Sequence, residues 1–106
     1  MYNPVVRRPG SKRDGSRFSE EEIEAVWQKG RIARGFDPHL WRIDACGDLM
    51  KRVDYGNTDS PYGWEIDHII PVAHGGSDSL SNLQPLHWKN NRAKGDSSFL
   101  RCARNG

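Results

Sequence analysis

A chain of 106 residues can bury only one modest core, about two-thirds of the surface its unfolded form exposes, which excludes a multi-domain catalyst. The net charge of +2 conceals an uneven distribution: residues 1–17 set Arg7, Arg8, Lys12, Arg13 and Arg17 against Asp14, and residues 87–106 set Lys89, Arg92, Lys94, Arg101 and Arg104 against Asp96, so the middle is acidic. Basic ends around an acidic middle fit a polyanion gripped from two sides, with some acids kept for a metal, and they fit solvated tails as well. No apolar run approaches the ~20 residues of a membrane span and no signal-peptide core follows the N-terminal charges, so a cytoplasmic protein of a bacterial or phage-infected cell, without a membrane partner, is expected. Cys46 and Cys102 stand far apart and outside any CxxC pair, which predicts reduced thiols that fill space in the core.

In chain order, residues 1–17 hold prolines, glycines and basic residues with little that is apolar, and are expected as a flexible basic arm before a single domain over 18–106. Ser19 then stands three residues before Glu22, the pattern of a capping box, with Phe18 placed to pack on Ile23 and three glutamates in the first turn. A helix is predicted from there, with Ile23, Val26, Trp27 and Gly30 on one stripe, ended before Gly35 and Asp37-Pro38. A turn or short helical piece anchored by Trp41 is expected over 39–43. A strand with Met50 or Val53 facing inward is expected over 49–55, and a loop over 56–63.

Residues 64–94 read WEIDHIIPVAHGGSDSLSNLQPLHWKNNRAK. Bulky residues alternate with polar ones from Trp64 to Ile70, predicting a strand that stops at Pro71 and presents Asp67 and His68 side by side. Gly75-Gly76 reverses the chain, Leu80 to Leu86 is a second short strand, and His87 to Lys94 turns helical with Gly95 as the stop.

The ordered set Asp67-His68, Pro71, Gly75-Gly76, Asn82-Leu83, then Asn91 and Lys94, resembles the HNH endonucleases of the ββα-metal superfamily, over roughly residues 64–96. The resemblance implies an α+β fold: a ββα-metal core of two short antiparallel strands and a helix, within about 60–96, braced by an N-terminal helix. It implies metal-dependent hydrolysis of DNA phosphodiester bonds, with His68 as general base and Asn82 pinning the loop that orients it. Asp67 and Asn91 become the ligands of one divalent ion, with Asn90 as the alternative to Asn91. One carboxylate and one amide oxygen suit Mg²⁺, with Mn²⁺ as a substitute and Zn²⁺ as a less fitting ion. Arg92, Lys94 and His74 are candidate contacts to the phosphates of double-stranded DNA, and a homodimer is one route to a double-strand break.

Many relatives brace this fold with a structural Zn²⁺ on four cysteines. Here His87 and Asn90 stand at the helix-start positions and Cys46 lacks its companion, so no structural zinc is expected. Trp41, Trp64 and Trp88, with the N-terminal helix, are expected to brace the site instead. His87 is left as a hydrogen-bonding fold residue or an additional site group. Two other readings stay open: a nucleic-acid-binding module of the same fold without the chemistry, and an RNase or toxin nuclease.

Overall fold

The computed structural model describes residues 7–103. The first six residues of the expected arm, and residues 104–106 with the basic Arg104, lie outside the described residues.

The helix α1 (Glu20–Trp27) begins where the sequence places it. Ser19 Oγ accepts from the Glu22 amide while the Glu22 carboxylate accepts from the Ser19 amide, so two otherwise unpaired helix-end donors are satisfied reciprocally. Its apolar stripe, Ile23, Val26 and Trp27, is buried. Next come β1 (Arg31–Ile32), β2 (Trp41–Ile43) and β3 (Leu49–Lys51), an antiparallel meander. The helical piece expected around Trp41 is therefore a strand: Trp41 and Ile43 are β-formers, and a tight turn at Gly47, φ +90°, folds them back onto Lys51 and Leu49. The strand expected over 49–55 stops at Lys51 and passes into a single helical turn, Arg52–Asp54, which turns Met50 inward and leaves Val53 exposed.

The central pair is β4 (Trp64–His68) and β5 (Leu83–His87), antiparallel, with Asp67 opposite Gln84 and His68 opposite Leu83. The helix α2 (Trp88–Lys94) follows β5 directly, so the expected ββα unit is present within an α+β fold. Leu80–Asn82 is a helical turn rather than the start of β5. Pro85 lies inside β5, opposite Ile66, which is tolerated because β5 has a partner on one side only.

Alternation along β4 divides the molecule into layers. Trp64 and Ile66 face α1 and join Phe18, Ile23, Val26, Trp27, Met50 and Leu83 in the core, with the Trp27 and Trp64 rings 5.1 Å apart. Glu65 and Asp67 face the opposite way, where α2 covers them, so a polar layer is sealed between strand and helix.

Two expectations are corrected. Residues 7–17 do not stand free: Ser11 is buried, the Arg13 amide donates to Asp78, and Gly10, at φ +82°, lies so close to β4 that a Cβ would come within 3.3 Å of the Glu65 Cβ. Cys46 and Cys102 are not thiols but a disulfide across a sequence separation of 56. The tail beyond α2 doubles back, the Ala103 amide donating to Asn90 Oδ1, and this brings Cys102 to Cys46. Asn90 is the hub of this brace, for its Nδ2 also donates to the Asp44 and Asp48 carboxylates. Among the described residues, no helix is long and apolar enough to cross a membrane.

Candidate active site

The end of β4, the start of the following loop and one side of α2 enclose a cavity of about 220 Å³ lined by Asp67, His68, Asn91 and Arg92, with Arg7 and Arg8 of the N-terminal segment across it. Asp67 and His68 point to opposite faces of a regular strand, yet both reach this cavity because it lies at the strand's end.

Asp67 is buried, and its two oxygens are held separately. Gln84, its cross-strand partner, donates to Oδ2 at 2.9 Å, and Lys94 Nζ lies 3.2 Å from Oδ1. Burial pushes the Asp67 carboxyl above the usual carboxylate range, while these two donors favour its charged form. Lys94 also donates to the His68 carbonyl oxygen and is itself 3% exposed. As a surface phosphate contact, Lys94 is therefore corrected: its ammonium is enclosed in the protein, where it neutralises Asp67.

Asn91 donates through Nδ2 to Glu65 Oε1 at 2.9 Å, which fixes the orientation of its amide. Its Oδ1 accepts no hydrogen bond from the described residues and is the free acceptor on this side of the cavity. Arg92 grips the same Glu65 through both ends of its guanidinium and keeps nearly half of its side chain in solvent. Glu65 holds the Arg92 guanidinium in its charged form and raises its pKa. Asn90, the alternative ligand, is spent on the Asp44 and Asp48 brace.

His68 is 4% exposed, its ring 6.1 Å from that of Phe18. Nε2 lies 2.8 Å from Asp78 Oδ1, and Nδ1 lies 3.5 Å from Arg7 Nη2. An ionised carboxylate can only accept, so Asp78 places the proton of a neutral His68 on Nε2 and leaves the lone pair on Nδ1. Among the described residues, the Asn82 side chain makes no hydrogen bond to His68. It clamps the loop, accepting from the Ile70 amide and donating to the carbonyls of Ile70 and Ser77, and so fixes the loop that carries Asp78. The close packing of Gly76, whose Cβ would fall 1.7 Å from the Ile70 carbonyl oxygen, makes glycine obligatory there.

Besides Asn82 and Lys94, two more expected site residues lie outside the cavity lining. His74 is exposed on the loop, its Nδ1 3.1 Å from the Ser98 hydroxyl. His87 caps α2: its Nδ1 accepts from the Lys89 amide and its Nε2 lies 2.8 Å from the Pro61 carbonyl oxygen, so both ring nitrogens are engaged by the backbone. Conversely, Glu65, Gln84, Asp78 and Arg7 enter the site unanticipated. Glu65 was signalled by lying two residues before Asp67 on the same strand face. Nothing local distinguished Asp78 from its polar neighbours.

Among the described residues, no three His, Cys, Asp or Glu side chains gather as a metal cluster. The donors that share the cavity are one carboxylate and one amide oxygen. Each Asp67 oxygen carries one hydrogen-bond donor and so retains a lone pair, and the Asn91 oxygen is unengaged, so the pair fits a hard divalent ion that keeps most of its waters.

Comparison of the chain with curated proteins and with solved structures gives no significant match. The family model described as HNH endonuclease matches residues 45–97, half of the chain, from the Cys46 brace through β4 and β5 to the end of α2, and the protein therefore belongs to the HNH endonuclease family.

Proposed function

We propose that this protein is a divalent-metal-dependent endonuclease that hydrolyses DNA phosphodiester bonds with low sequence specificity. The observation that carries this reading is the convergence of His68, Asp67 and Asn91 on one cavity, with Asp78 behind the histidine.

His68 takes the proton of the attacking water at Nδ1, because Nε2 is committed to Asp78. Asp78 holds the ring in that tautomer and offsets the charge that develops on the imidazole. Asn82 keeps the loop bearing Asp78 closed on β4, and Glu65 holds the Asn91 amide by its nitrogen, which leaves the oxygen available to a ligand. A divalent ion held by Asp67 and Asn91 would neutralise the phosphoryl and leaving oxygens, and the donor set favours Mg²⁺, with Mn²⁺ able to replace it. Lys94 and Gln84 favour the charged form of Asp67, which either ion requires, against the burial that raises its pKa. The products are a 5′-phosphate and a 3′-hydroxyl. Arg92, half exposed at the rim, contacts a flanking phosphate. Contacts of this kind read charge rather than base sequence, so cleavage weakens as salt rises.

The test is nicking of supercoiled plasmid with Mg²⁺, with Mn²⁺ and with EDTA, using the wild-type chain and His68→Ala. Cleavage is expected with either ion and none with the chelator. His68→Ala should retain DNA binding and lose cleavage; a variant that cut at the wild-type rate would remove His68 from the mechanism.

A further inference from the structure

We propose that Arg7 is the side chain that receives the scissile phosphate, a substrate contact supplied by the N-terminal segment rather than by the ββα unit. The inference rests on the nuclease reading of the same cavity and adds a residue to it.

The Arg7 guanidinium is held in place by the chain that follows it. Nε donates to the Lys12 carbonyl at 3.1 Å and Nη2 to the Ser11 carbonyl at 2.9 Å, within a tight turn that the Ser11 hydroxyl closes by donating to the Arg8 carbonyl. The turn is seated against β4 at Gly10 and tied to the base's own partner, since the Arg13 amide donates to Asp78. A guanidinium fixed by two carbonyls is prepaid in side-chain entropy, as a phosphate clamp needs to be.

Its position relative to His68 is the second observation. Nη2 stands 3.5 Å from Nδ1, the nitrogen left free by Asp78, so the cation lies where the attacking water and the phosphate must meet. Among the described residues Arg7 pairs with no carboxylate, whereas Arg92 is matched by Glu65 and Lys94 by Asp67. Arg7 thus brings to the cavity a cation that, unlike Arg92, no carboxylate among the described residues neutralises, and its guanidinium is the one that reaches the His68 ring. With substrate bound, Nη2 exchanges the weak contact to Nδ1 for a charge-assisted hydrogen bond to a non-bridging oxygen, which also frees the base.

Arg7→Ala, Arg7→Lys and Arg17→Ala, an exposed arginine of the same segment outside the cavity, would be compared with wild type in steady-state cleavage of a labelled DNA duplex with Mg²⁺. Arg7→Ala is expected to lower kcat by about 100-fold, with Arg7→Lys recovering part of the loss and added guanidinium ion rescuing Arg7→Ala. Arg17→Ala should alter KM by a few-fold at most and leave kcat unchanged. A thermal melt of each variant separates loss of contact from loss of fold. An Arg7→Ala enzyme with wild-type kcat would overturn the proposal, as would a loss of kcat that neither lysine nor guanidinium ion restores. If the wild-type chain itself cut no DNA with any divalent ion, the nuclease reading would fail. DNA binding would then decide on Arg7, with Arg7→Ala expected to reduce the slope of log Kd against log salt by about one, and an unchanged slope refuting the contact.

Discussion

Opening the Cys46–Cys102 disulfide should destabilise this protein more than most single substitutions. The bridge closes a loop with a sequence separation of 56 that contains β3, β4, β5 and α2. The entropy that a link of this span removes from the unfolded chain corresponds to about 4 kcal/mol, an upper value because real unfolded chains keep some structure. Reduction also frees the tail whose Ala103 amide occupies Asn90 Oδ1. That loss falls on a helix of 7 residues, too short to persist without its tertiary contacts. For a domain of this size, 4 kcal/mol corresponds to a fall in Tm of about 15–30 °C. The assay is thermal unfolding followed by circular dichroism, with and without a thiol-free phosphine reductant, together with the Cys46→Ser/Cys102→Ser variant, which should match the reduced wild type and ignore the reductant. Two free thiols in the unreduced, denatured protein, or a reduced Tm within about 2 °C of the oxidised one, would refute the reasoning.

Four further outcomes follow from the site. Asp78→Asn should lower kcat by about 10–100-fold with little change in KM, because the amide can hydrogen-bond Nε2 without enforcing the tautomer, and an unchanged kcat would remove Asp78 from the mechanism. Lys94→Met should cost about 3 kcal/mol in chemical denaturation, since it strands the buried Asp67 carboxylate; a loss below about 1 kcal/mol would mean that Asp67 is not charged there. Gly76→Ala should fail to fold or melt far below wild type, because its Cβ meets the Ile70 carbonyl oxygen, and a normal melt would refute the loop packing. His87→Ala should lose about 1 kcal/mol with the cap of α2 and leave kcat at the wild-type value, which steady-state cleavage and denaturation together would check.

The sequence by itself determined those parts of the protein that depend on near neighbours in the chain. Ser19 and Glu22 start α1 through bonds that span three residues, alternation from Trp64 to His68 specifies a half-polar strand, and Gly95 ends α2. The order of Asp67, His68, Asn82 and Asn91 carried the family, because a motif records residue types at fixed separations. Tertiary structure decided what lies opposite each of these groups. Lys94 has the sequence of a solvated helix residue, yet α2 packs so that its ammonium meets Asp67. Asp78 is one polar residue among several until the loop closes on His68, and Arg7 belongs to a basic arm until that arm turns back across β4. The cysteine pair shows the limit most plainly: a separation of 56 residues gives no local signal of contact, and only the return of the tail along α2 brings the two sulfurs together. Periodicity and capping are short-range and leave a trace in the sequence, whereas the partners of charged and covalently linked groups are fixed by where the chain comes back to itself.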